Sequence, residues 1–248
     1  MKLGIHAYAW CSQWSNATLD LIERVKGMGL DFIEIPLMCL ETFDAGAVRK
    51  RLEAAHLGAV TSTVLLGDTD ITSEKPEIRA RGVEYLNACV RATHAIGARS
   101  FSGVIYSQHV KSLPRRPDAA LWQYSADCLR TVARSARDLG VQIGLEPVNR
   151  YETCLINTCG QALRLKAMIG EDNVKIHLDT YHMNIEEKSF YEATRRAGKD
   201  LIHTTSARTT AAYREPASSI GTGSSRRWRR SGTAGMRRSR VLSSAPAI

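Results

Sequence analysis

The stretches GLEPVNRYE, Gly144 to Glu152, and HLDTYHMNIEE, His177 to Glu187, decide the reading of this chain. Each leaves a short apolar run and breaks into carboxylate, imidazole and amide side chains. In a barrel of alternating strands and helices, the C-terminal ends of the strands form the mouth where metal ligands and acid–base groups sit. Two successive strands ending in this way imply metal-assisted chemistry on a small polar substrate.

Working outward, the apolar pattern alternates between strand-like runs and helical periods up to His203. Strands are expected at Lys2–Tyr8, Phe32–Pro36, Ala59–Leu65, Ser100–Gly103, Gln142–Pro147, Lys175–Asp179 and Leu201–His203. They are short and apolar, as parallel strands covered on both faces are. Between them Leu19, Ile22, Val25 and Met28 recur in steps of three, and Val83, Leu86 and Val90 share a helical face. Gly29, Gly58, Gly97, Gly140 and Gly170 mark expected helix stops. Seven βα units fit into residues 1–203, with right-handed crossovers.

The chain of 248 residues matches the roughly 250 of a single β/α barrel. Its apolar share of 44% is ordinary for a globular protein. No apolar run approaches the roughly 20 residues of a membrane span, and no signal-peptide pattern opens the chain, which predicts a cytoplasmic protein without a membrane partner. Six cysteines without CxxC spacing suit reduced thiols. The net charge of +9 invites a nucleic-acid reading, in which a non-catalytic binder works through its Arg-rich tail. The distribution argues against it. From Thr204 onward there are nine arginines, no lysine and one acid, Glu215, so residues 1–203 carry only +1.

Each candidate has a bland alternative. Glu146 suits metal ligation or proton transfer, or else pairs with Arg150. Asp179 and His182 are donor types for divalent metals, or else Asp179 caps the following helix while Asn184 opens one from Ile185. Glu34 could face the same mouth but reads first as a salt-bridged strand end. His6, Tyr8, Trp10 and Trp14 read first as a packing cluster and second as a sugar-stacking face, and Trp122 with Tyr124 as packing residues near a helix start. Leu66–Gly67 is an ordinary turn, with no phosphate-cradling loop.

Taken together, Gly144–Glu152 and His177–Glu187 resemble the ketose 3-epimerases, the D-tagatose/D-allulose 3-epimerase group of xylose-isomerase-like (β/α)8 TIM barrels. The resemblance extends from Met1 to about His203. It implies epimerisation of a free ketose at C3 through deprotonation and reprotonation, with a divalent metal, Mn²⁺ first and Co²⁺ or Mg²⁺ next. It makes Glu146 both metal ligand and acid–base group, Asp179 the second ligand, and Glu152 and His182 substrate contacts. It also implies a homo-oligomer, a dimer or tetramer. An aldose–ketose or hydroxypyruvate-type isomerase of the same barrel class is the nearest rival.

After His203 the resemblance fails. The family pattern H-x-H-x-x-E-x-x-R supplies a further histidine ligand, and a second glutamate follows on the eighth strand. This chain reads His203-Thr204-Thr205-Ser206-Ala207-Arg208. A frameshift explains the break: one base inserted after the His203 codon permits H-Y-H-L-S-E-D-H-R-G-V-P-G-T-G, then F-D-W-D-G-V-F-E-A-L-A-E-I-G-Y-R-G. The chain is therefore expected to consist of a barrel domain at 1–203, incomplete after about seven βα units, and an aberrant, disordered basic tail at 204–248. Its activity is expected to be impaired or lost.

Overall fold

The computed structural model describes residues 2–110, 117–207 and 241–245. Seven parallel strands follow one another around a ring in sequence order: β1 Lys2–His6, β2 Phe32–Pro36, β3 Gly58–Leu65, β4 Ser100–Gln108, β5 Gln142–Leu145, β6 Val174–Asp179 and β7 Leu201–Ala207. Six crossovers join them, carrying α1 Leu21–Gly27, α2 Ala45–Ala55, α3 Pro76–Ala95, α4 Ala119–Asp138, α5 Cys159–Ile169, and the pair α6 Thr180–Glu186 and α7 Phe190–Ala197. The place of an eighth βα strand is taken by β8, Val241–Ala245, which runs antiparallel to both β7 and β1 and closes the ring.

The expected strands are all present, with ends shifted for physical reasons. β1 stops at His6 because the backbone tightens into a 3-10 turn at Ala7–Ala9, where the His6 imidazole accepts the Tyr8 N–H. β4 runs five residues beyond Gly103, and β7 continues through Thr204–Ala207, the first residues of the expected tail. The rest of that tail, apart from β8, falls at 208–240 and 246–248, outside the described residues. No second helix opens at Ile185. Asn184 lies inside α6, and the next helix starts at Phe190 behind its Ser189 cap. Four of the five glycine stops adopt left-handed backbone, whereas at Gly58 it is His56, φ 48°, that ends α2.

Helix sequence and packing agree. In α4 the buried positions Trp122, Ser125, Ala126, Leu129, Val132, Ala133 and Ala136 follow the three-to-four spacing of one face. α5 begins in a Thr158/Gln161 capping box and ends at Gly170. One apolar cluster lies between β3–β6 and α3–α5, and a second, around Ile5, Ile22, Ile33 and Val48, seals β1 and β2 under α1 and α2. Gly103 holds the mouth side of β4 close to β3: its φ is +125°, and a Cβ there would run into the Thr63 carbonyl.

Candidate active site

Glu146 follows β5, its N–H donating to the Gly103 carbonyl at 3.2 Å. Asp179 ends β6, and its Oδ1 accepts the Tyr181 N–H at 2.7 Å. The capping role expected as an alternative to a site role is therefore real, and it leaves the second carboxylate oxygen free of that bond. Glu146, Asp179 and His182 each bring one ligand-type atom into a group whose members all lie within 4.8 Å of one another. A cavity of about 230 Å³ opens beside the two carboxylates, lined from β5 to β7 by Glu146, His177, Asp179 and Thr205 and from β1 and β2 by His6, Tyr8 and Glu34.

The Arg150 alternative fails in this structure. Arg150 turns outward and forms a two-pronged pair with Glu186, 2.9 and 2.8 Å, leaving Glu146 without a cationic partner from its own loop. Burial, and then the charges of Asp179, Glu34 and Glu152, push the Glu146 carboxyl well above the usual range. Asp179 is pushed up to about 7, by burial first and then by Glu34 and Glu152, against the Tyr181 N–H. Two carboxylates that resist ionising side by side, Asp179 buried and Glu146 partly buried, are a donor set that a bound dication relieves. Hard oxygen donors of this kind suit Mg²⁺ or Mn²⁺. Glu146 and Asp179 thus fit a divalent ion.

Glu152 stands behind this group, outside the cavity walls. Its Oε1 accepts from Asn149 Nδ2 at 2.7 Å and its Oε2 faces His109 Nε2 at 3.1 Å. The His109 bond, outweighing partial burial, holds Glu152 below the ordinary carboxylate range. His182 is buried at the start of α6, with Nδ1 turned towards Asn149.

Sequence reasoning missed the polar floor of the barrel. His177 and Asp179 are two apart on β6 and share its inner face, as His203 and Thr205 do on β7, and that period of two was the available signal. His177 Nε2 meets Thr205 Oγ1 at 2.7 Å, while its Nδ1 lies 3.1 Å from Ser102 Oγ and 3.6 Å from Glu146 Oε2. Burial, and then His203, keep His177 neutral, well below the ordinary histidine value. Glu34 is buried between His203 Nε2 at 3.2 Å and His6 Nε2 at 3.8 Å, so its reading as a paired strand end holds, although it also lines the cavity. Burial would raise Glu34, but His6, His203 and His177 outweigh it and hold it low. Trp14 and Trp122 are buried packing residues, and Trp10 and Tyr124 lie under Arg24 and Arg79.

Comparison with known proteins agrees with this layout. Residues 22–225 match the family described as xylose isomerase-like TIM barrel. An L-ribulose 3-epimerase of Mesorhizobium japonicum is 36% identical over 197 residues, 79% of this chain and 66% of its own length. A ketose 3-epimerase of Arthrobacter globiformis is 38% identical over 192 residues, 77% of this chain and 66% of its own. The crystal structure of a D-allulose 3-epimerase from Methylomonas sp. superposes with a TM-score of 0.78 at 35% identity, covering 81% of this chain and 70% of that one. The chain spans just under two thirds of the length of the first two relatives.

Proposed function

Because the chain belongs to the xylose isomerase-like TIM-barrel family, we propose that its barrel is that of a divalent-metal-dependent isomerase that epimerises a free ketose at C3. The observation that carries this reading is the convergence of Glu146 and Asp179, from the ends of adjacent strands, on one cavity. The relatives named as ketose 3-epimerases support it. We read the protein as cytoplasmic and homo-oligomeric, dimer or tetramer; no helix among the described residues is long and apolar enough to cross a membrane.

Glu146 and Asp179 would hold the ion, with Mn²⁺ the first expectation and Co²⁺ or Mg²⁺ the next. A bound divalent ion would supply Lewis-acid polarisation of the ketose carbonyl and so acidify the neighbouring C3 proton. Glu146, as its carboxylate, would take the C3 proton. His182 is read as orienting the ketose hydroxyls, and Glu152, outside the cavity walls, as acting through Asn149 and His182.

Inversion also requires a proton returned to the opposite face. Among the described residues the one further carboxylate lining the cavity is Glu34, but it is held ionised between His6 and His203 and is a poor donor. Thr205 stands where the frame-restored reading places the further histidine. We therefore propose that the sequence from Thr204 is frameshifted, that the encoded barrel domain in its present frame covers residues 1–203, and that this polypeptide is impaired. Resequencing the gene across the codons for Ile202 to Ala217 tests the frame. Incubation of the present and frame-restored proteins with Mn²⁺ and candidate ketoses in D2O, followed by NMR, tests the activity. Deuterium at C3 with interconversion of two ketoses is expected from the restored protein. Formation of an aldose would replace epimerisation by the isomerase reading, and no exchange at all would sink both.

A further inference from the structure

We propose that Asn149 is a positioning residue that fixes His182 as a neutral hydrogen-bond donor, so that His182 serves the substrate and Glu146 and Asp179 hold the metal without it. What the donor meets, a ketose oxygen, rests on the function proposed above; the donor state itself does not.

The assignment follows from groups whose roles have no alternative. A backbone N–H can only donate, and the Asn149 N–H points at His182 Nδ1 at 3.1 Å. His182 Nδ1 therefore carries no proton. The Asn149 amide is fixed in the same way. Its Oδ1 accepts the Tyr151 N–H at 2.9 Å, so the other end of the amide is Nδ2. That Nδ2 donates to the Glu152 carboxylate at 2.7 Å and lies 2.9 Å from His182 Nδ1. Two donors thus converge on one ring nitrogen, and in a neutral imidazole the proton must then sit on Nε2. A histidine ligand presents a lone pair to its metal, and the one ring nitrogen of His182 not engaged by Asn149 carries a hydrogen instead. Proximity groups His182 with the two carboxylates; its tautomer separates it from them.

The support runs further back. Glu152 holds Asn149 in register, and His109 at the end of β4 engages the other Glu152 oxygen at 3.1 Å. Beside it the Val110 N–H donates to the Glu152 carbonyl at 2.6 Å. Val110 has φ 59°, a left-handed conformation uncommon for a β-branched residue. A relay from His109 through Glu152 and Asn149 to His182 therefore ties the β4 and β5 loops to α6. It also gives Glu152 a task that matches its place behind the cavity.

The test is the ring of His182 itself, in the full chain labelled with nitrogen-15 histidine and read by long-range proton–nitrogen correlation. A His182→Asn protein identifies the signal. The expected result is a neutral ring protonated at Nε2, unchanged when Mg²⁺ is added to saturation. A ring protonated at Nδ1, or an Nε2 that loses its proton on Mg²⁺ binding, overturns the proposal. In parallel, Asn149→Ala is expected to weaken ketose binding about tenfold while changing Mg²⁺ affinity less than about twofold; the reverse split overturns it. Neither ring measurement needs turnover, so a protein that epimerises nothing still decides the tautomer.

Discussion

Asp179 and Thr205 are register partners across β6 and β7, and both line the cavity at the mouth of the barrel. A third ligand at position 205 would therefore stand beside the second. Thr205→His is expected to raise the affinity for Mn²⁺ by about tenfold or more, equivalent to roughly 1.4 kcal/mol. Calorimetric titration of both proteins measures it. The exchange also removes the 2.7 Å bond from Thr205 Oγ1 to His177, so part of the gain is offset. Unchanged affinity would show that position 205 does not reach the ion.

Removing the proposed base should be the more drastic change. Glu146→Gln keeps the size of the side chain but cannot accept a proton as a carboxylate does. C3 hydrogen exchange into a ketose, followed by NMR in D2O, is expected to fall by about 10²–10⁴ in an otherwise active, frame-restored background. Exchange within a few-fold of the parent would assign proton abstraction to another group.

Much of this site was legible because chemistry and position coincided. Glu146 and Asp179 end apolar runs, and a strand end in such a barrel is a mouth position. The partner of Arg150 was not legible, since Glu186 lies 36 residues away on α6 and only the fold brings them together. His177, His203 and Thr205 were hidden for another reason. His177 and His203 sit inside strands that read as apolar, where a lone histidine carries no local signal beyond the period of two, and Thr205 lies past the expected end of the seventh strand, in the stretch read as tail. The closing strand β8 was invisible for want of any alternating pattern in Val241–Ala245, which reads VLSSA.

Gly103 offers a test of the architecture itself. Its positive φ and the Thr63 carbonyl against its missing Cβ leave no room for a side chain. Gly103→Ala is expected to destabilise the protein by at least about 2 kcal/mol, combining backbone strain with displacement of β3. Urea denaturation of the two proteins checks it. Gly97→Ala serves as the comparison, because a Cβ there meets nothing within 4 Å and the cost is left to its φ of +81° alone.

The raised carboxyl of Asp179 fixes the sign of a pH effect. In the unfolded chain an aspartate ionises near pH 3.9, whereas in the folded protein Asp179 is pushed up to about 7, chiefly by burial. Between those values the native state binds the extra proton, so the contribution of Asp179 to stability falls as pH rises and is constant above the upper limit. Glu146 beside it is raised too and acts in the same direction, whereas Glu152 and Glu34 are held low and act in the opposite one, so the contribution must be isolated by difference. Asp179→Asn keeps an oxygen to cap the Tyr181 N–H and removes the ionisation. In metal-free buffer the stability of Asp179→Asn relative to the parent is expected to climb from pH 4 to pH 7 and then level. Saturating Mn²⁺ should reverse the order above pH 7, because the ion stabilises the parent's carboxylate and the variant has none to offer. Parallel difference curves with and without Mn²⁺ would remove Asp179 from the metal site.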